Sequence, residues 1–179
     1  GAVMEREKRL QGIVFLGGRF DYTPADLAML NVPFVCCSYS NRYGTLIEGE
    51  YSSVSIADGD TAQQAVEELY RHGHRRIAAL ISRPNDQSIS QLRYEGYVQA
   101  LESHGIPVDP ELVISTGGFS AKDAYRAVQE KMAENVDFTA LFAIADSMAI
   151  GAMRALMDAG RRIPEDCSCL LYTSPSPRD

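Results

Sequence analysis

Between Gly12 and Gly160 the chain repeats one rhythm, a short apolar run, a turn, and then a stretch with helical spacing. Gly12–Leu16 (GIVFL) is a brief apolar run closed by Gly17-Gly18, as a buried strand would be. Pro24–Asn31 predicts a short helix with proline in its first turn. Pro33–Ser38 and Ser53–Ile56 predict strands, and the Asn-, Gly-, Ser- and Tyr-rich stretch Tyr39–Tyr51 between them predicts a long loop. In Asp60–His72 the residues Ala62, Ala65, Val66 and Leu69 recur at i, i+3, i+4 and i+7, one face of a helix that Gly73 can end. Arg76–Ile81, Leu112–Thr116 and Thr139–Ala143 then predict strands. Ser88–His104, Ser120–Asn135 and Asp146–Ala159 predict the helices that follow them. Strands alternating with helices of this length specify an α/β fold whose parallel sheets are covered by helices on both faces.

The apolar fraction of 45% is enough to build a core, and no apolar run approaches the ~18 residues that a membrane span needs. No N-terminal stretch reads as a signal peptide. A formal net charge of −7 argues against direct contact with DNA by this segment. The run His72-Gly-His-Arg-Arg76 fits a cationic helix C-terminus, which the helix dipole favours without any nucleic acid. Cys36 and Cys37 are adjacent, so on a strand they point to opposite faces, and Cys167 and Cys169 are one residue apart. Neither spacing is that of a zinc site, so no metal and no cofactor is expected, and the thiols fit a reducing compartment. Gly17-Gly18 and Gly117-Gly118 are isolated pairs, not a phosphate-binding loop, and no nucleophile–base set stands out. Residues 169–179, with Ser-Pro-Ser-Pro near the end, read as a tail foreign to the native fold.

In parallel α/β sheets, ligands bind beyond the carboxyl ends of the strands. Here those loops are Gly17–Asp21, Tyr39–Asn41, Asp58–Asp60, Ser82–Ser90, Gly117–Phe119 and Ala145–Asp146, with Arg93 just beyond. Acids, amides, hydroxyls, an aromatic ring and an arginine together suit a polar ligand such as a sugar. Other roles stay open residue by residue. Asp58 or Asp60 can be a helix N-cap, and Arg93 can form a surface ion pair. The helix Asp146–Ala159 is apolar nearly all round, so Ile150 and Met157 need a cover beyond its own sheet.

Four segments in order and in register resemble one family. Gly73-His-Arg-Arg-Ile-Ala78, Arg93-Tyr-Glu-Gly-Tyr97, Ala143-Ile-Ala-Asp-Ser-Met-Ala-Ile-Gly-Ala-Met153 and Arg162-Ile-Pro-Glu-Asp-Cys-Ser168 are similar to the effector-binding part of lac-repressor-type (LacI/GalR) transcription regulators. The resemblance spans about Gly12 to Ser168. It implies a type I periplasmic-binding-protein-like fold, incomplete here, with two lobes that hold a sugar or similar effector between them. Residues 1–74 would end the first lobe and residues 75–168 would build most of the second. Val3–Leu10 would be the tail of a preceding helix, and the DNA-reading helix-turn-helix headpiece would lie outside the chain.

The resemblance also implies roles. Arg93 would hold effector hydroxyls, Phe119 would stack on the effector, and Asp58, Asp60, Gln87, Ser90 and Asp146 would supply polar contacts. Ala145 departs from the Asn or Ser that some members carry. Ile150, Arg154 and Met157 would face a second copy in a homodimer. Operator DNA would be a partner only through the headpiece, no membrane would be involved, and the protein would work in the cytoplasm without catalysis. A periplasmic sugar-binding protein of a transporter shares the fold, but the Arg-Ile-Pro-Glu-Asp and Gly-His-Arg-Arg-Ile segments favour the regulator. A Rossmann-like enzyme fits less well, because no phosphate fingerprint or catalytic set is present.

Overall fold

The computed structural model describes residues 10–17, 20–47 and 49–171. The chain divides into two units, Gly1–Ala57 with Gln87–Ile89, and Asp58–Asp86 with Ser90–Asp179. Each is built from parallel strands, as the alternating sequence predicts.

In the first unit, β1 (Ile13–Leu16), β2 (Phe34–Cys37) and β3 (Ser52–Val54) form a three-stranded sheet in the order β1-β2-β3. Ile13 pairs with Phe34 and Val35 with Ser52, all parallel. Between β1 and β2 lies α1, only Pro24–Leu27, shorter than the stretch to Asn31 that the sequence suggests. Thr23 starts it with a reciprocal capping box: its hydroxyl accepts from the Asp26 N–H, and the Asp26 carboxylate accepts from the Thr23 N–H. The buried side of this unit is aromatic. Phe15 packs on Tyr22 and Phe34, and Tyr39 meets Phe20, Tyr22 and Tyr51. Burial pushes the Tyr39 phenol up to about 12. Asn41 ties the long loop together, donating to the Leu46 carbonyl at 2.7 Å and accepting from the Leu46 N–H at 3.2 Å.

The second unit begins with α2 (Asp58–Arg71), followed by β4 (Ile77–Ile81), α3 (Ile89–Ser103), β5 (Val113–Ser115), α4 (Ala121–Ala133), β6 (Ala140–Ala143), α5 (Asp146–Asp158) and β7 (Ser168–Leu171). The strands run parallel in the order β5-β4-β6-β7. Every residue of β4 and β6 is buried, as central strands covered on both faces must be. Ala62, Val66 and Leu69 of α2, Tyr97 and Leu101 of α3, and Met148, Ala149, Ala152 and Leu156 of α5 share one core with Leu80, Leu141 and Phe142. Tyr97 is fully buried, and its hydroxyl donates to the Ile77 carbonyl at 2.9 Å. Two helix pairs approach at glycines. A methyl group at Gly96 of α3 would collide with the Gly59 carbonyl of α2, and one at Gly151 of α5 with the Ala121 carbonyl of α4.

Two boundaries move from where the sequence suggests them. The helix Asp58–Arg71 buries its stripe in the second unit, so the change of unit falls at Ala57/Asp58 and not at residue 74. A helical stripe shows that a face is buried, but not which sheet buries it. The native pattern also continues past Ser168. β7 pairs with β6 from Ala140–Ser168 to Ala143–Leu171, and Cys169 and Leu170 pack on the core. Residues 169–171, the start of the proposed tail, are therefore part of a sheet strand. The remainder of that proposed tail, residues 172–179, and most of the proposed helix remnant Val3–Leu10 lie outside the described residues.

Candidate functional site

The carboxyl ends of the strands in the second unit gather the polar residues that stand out in the sequence. After β4, the Ser82 hydroxyl donates to Asp86 at 2.7 Å, and the Ser82 N–H donates to the Ser90 hydroxyl at 3.2 Å. The Asn85 N–H donates to the Gln91 side chain at 3.0 Å, which closes the loop onto α3. After β5, Thr116 donates to the Ile81 carbonyl at 3.1 Å, and Gly117 turns the chain at φ 79°. Phe119 follows with 41% of its surface exposed, and its carbonyl accepts from the Ser147 hydroxyl of α5 at 2.6 Å. The loops after β5 and β6 are thereby tied together. Ser120 caps α4 by accepting from the Asp123 N–H.

Arg93 sits at the centre of this edge. It lies in the first turns of α3 and is 8% exposed. Its Nε and Nη2 donate to one carboxylate oxygen of Asp58, at 3.0 and 2.9 Å, and its Nη1 donates to the Ile144 carbonyl just after β6. Asp58 is 5% exposed. A buried guanidinium needs a counter-charge, and α2 delivers one from 35 residues upstream. Arg93 is therefore not a surface ion pair.

The other sequence-predicted residues separate. Asp60 is exposed in the first turn of α2, and Asp146 is half-buried as the first residue of α5. Ala145 stands at the N-cap of α5 and makes no side-chain cap bond. Ser90 is fully buried with its hydroxyl engaged by Ser82, so its position fixes the loop instead of presenting a group at the surface. Gln87 belongs to the first unit, where it holds a left-handed backbone (φ 48°). Ser82, buried at 2%, opens the Ser82–Ser90 loop without standing out within it, and the Ile144 carbonyl leaves no mark in the sequence. A serine in a loop and a backbone oxygen carry no signal in a single sequence.

Away from this edge, Ile150 and Met157 of α5 are 60% and 57% exposed. Arg154 lies between them and pairs with Asp158 at 3.0 Å; Asp158 also accepts from the Tyr125 hydroxyl of α4. Among the described residues no helix is long and apolar enough to cross a membrane, and no group of three or more His, Cys, Asp or Glu could hold a metal ion.

The second unit is thus a helix-covered parallel sheet with a buried arginine at its carboxyl edge. Residues 66–177 match the profile of the periplasmic binding protein-like domain. The chain is 37% identical over 164 residues to the HTH-type transcriptional regulator MalR of Clostridium butyricum, covering 91% of this chain and 48% of that one. It is 32% identical over 163 residues to the repressor CytR of Escherichia coli strain K12, covering 91% and 46%. Among solved structures, a transcriptional regulator CelR–cellobiose complex superposes with a TM-score of 0.79 at 31% identity, covering 95% of this chain and 51% of that one. A sugar-binding LacI-family regulator from Escherichia coli complexed with phosphate gives 0.78 at 26%, covering 97% and 61%. The chain belongs to the periplasmic binding protein-like family, and the relatives and solved structures it resembles are HTH-type and LacI-family transcription regulators. It spans about half the length of the curated relatives it matches.

Proposed function

We propose that this chain is part of the effector-sensing region of a cytoplasmic transcription regulator, and that a sugar or similar small molecule binds at the carboxyl edge of the second unit. The observation that carries the reading is Arg93, buried and held in plane by Asp58 and the Ile144 carbonyl where the family fold binds its ligands. A fixed guanidinium donates to neighbouring hydroxyls with little loss of freedom, which a lysine does not reproduce. The partly exposed Phe119 ring supplies an apolar surface for a sugar face. Asp60, Asp146 and Gln87 are secondary candidates for polar contacts. The relative solved with cellobiose supports a sugar. Operator DNA is read by a separate headpiece, and no catalysis is involved. The chain pairs with a second copy through Ile150, Arg154 and Met157.

Isothermal titration of the full-length protein with cellobiose and a panel of mono- and disaccharides tests the reading. Charge-assisted hydrogen bonds contribute roughly 1.5–3 kcal/mol, so Arg93→Ala should weaken binding of the recognised sugar about tenfold to a hundredfold. Phe119→Ala should weaken it less, and neither change should reduce operator affinity directly. If no sugar of the panel binds, or if Arg93→Ala binds as tightly as the wild type with its fold intact, the reading fails. Ile150→Glu should leave the fold intact and shift the protein toward monomer in sedimentation equilibrium. A dimer unchanged at micromolar concentration would remove the pairing proposal.

A further inference from the structure

We propose that Asp58 acts on effector binding through Arg93, as the residue that positions its guanidinium, and is not itself a contact to the effector. The inference rests on the reading of Arg93 given above. Asp58 is buried beside Arg93, and one of its carboxylate oxygens takes both Nε and Nη2 of Arg93, so that this oxygen is committed to the guanidinium. With Nη1 on the Ile144 carbonyl, the guanidinium is held from two directions, by the start of α2 and by the end of β6. Two such anchors fix both the plane and the direction of the donors. Losing either would leave an arginine with several rotamers in a buried place.

The backbone brings the pair together independently of their charges. Gly59, next to Asp58, and Gly96, three residues after Arg93, are where α2 and α3 approach so closely that no Cβ fits at Gly96. Asp58 and Arg93 therefore flank a helix contact that small residues permit. The same junction is where the chain passes from the first unit to the second, between Ala57 and Asp58. The anchor of the ligand-holding arginine is thus the first residue after that passage.

A double-mutant cycle separates positioning from contact. Cellobiose is titrated calorimetrically into the full-length wild type, Asp58→Asn, Arg93→Ala and the double variant. The expected result is a loss of about tenfold for Asp58→Asn with Arg93 present, and under about twofold in the Arg93→Ala background. Asp58→Glu, which keeps the charge, should recover part of the affinity. An equal loss in both backgrounds would mean that Asp58 meets the sugar directly, and no loss with Arg93 present would mean a structural ion pair; either overturns the proposal. A second measurement needs no sugar. Arginine-selective labelling with phenylglyoxal, read by mass spectrometry of the peptide holding Arg93, should speed up severalfold at Arg93 in Asp58→Asn while exposed Arg83 is unchanged. If wild type binds no cellobiose, the cycle is run with the sugar of the panel that binds most tightly, and an unchanged labelling rate at Arg93 overturns the role of Asp58 in either case.

Discussion

The two sheets of this chain are written in the same strand–helix grammar but differ in how far they are closed. In the second unit, helices of 15, 13 and 13 residues follow β4, β5 and β6, and both central strands are buried throughout. In the first unit the described helix has four residues, β1 alternates, and Val14 and Leu16 are 67% and 83% exposed. Val54 of β3 is likewise 67% exposed. One face of the first sheet is packed by an aromatic cluster instead of by a long helix. Among the described residues, the same strand spacing thus occurs with a sheet covered on both faces and with one covered on a single face. The buried Arg93–Asp58 pair lies in the better-closed unit, where a charge can be held in one geometry.

Substitution can break this contrast. Phe142 in β6 is fully buried, so Phe142→Ala should cost about 3–5 kcal/mol in chemical denaturation. A cost close to that of a surface change would mean that the second core is not as closed as described. Next in size are the helix contacts. Gly96→Ala and Gly151→Ala each push a Cβ onto a backbone carbonyl and should cost about 1–3 kcal/mol, through helices forced apart. Neutral or stabilising behaviour, as expected for glycine to alanine in an open helix, would argue that the helices do not meet at these points.

A smaller effect comes from acid. His74 bridges the Thr139 hydroxyl and the Ser168 hydroxyl, each at 3.0 Å, at the start of the second sheet. Burial holds its imidazole below the usual histidine range, with His72 nearby adding to the shift. The folded state therefore prefers the neutral ring. Its contribution is present above the ordinary histidine value of about 6.5 and is lost as pH falls through the folded value. The wild type should lose more melting temperature than His74→Asn between neutral pH and pH 5. Parallel curves would show that this bridge does not sense protonation. The smallest effect is expected in the first unit, where Leu16→Ser should stay within about 0.5 kcal/mol because the side chain is already in water.

The alternation was legible because it is local. Strands such as Ile77–Ile81 and helices such as Asp146–Asp158 fall within a residue or so of where apolar spacing puts them. The exposure of Phe119 also follows from its place after two glycines. What escaped was long-range. The partner of Arg93 lies 35 residues away, and its second anchor is a backbone oxygen 51 residues on, so neither leaves a mark beside Arg93. Ser90 looks like any loop serine until Ser82 is folded against it. The stripe of Asp58–Arg71 names a buried face without naming its sheet, and Cys169-Leu170, apolar enough to extend β7, stand shortly before a proline-rich ending that reads as loop.

The central claim, that Arg93 is the donor that holds the effector, is tested most directly by a crystal structure of the protein with the sugar that binds most tightly in titration. The account predicts a sugar hydroxyl within hydrogen-bond distance of an Arg93 terminal nitrogen, with Asp58 still on Nε and the Phe119 ring against the sugar. A sugar bound elsewhere, with Arg93 contacting only Asp58 and Ile144, would contradict it.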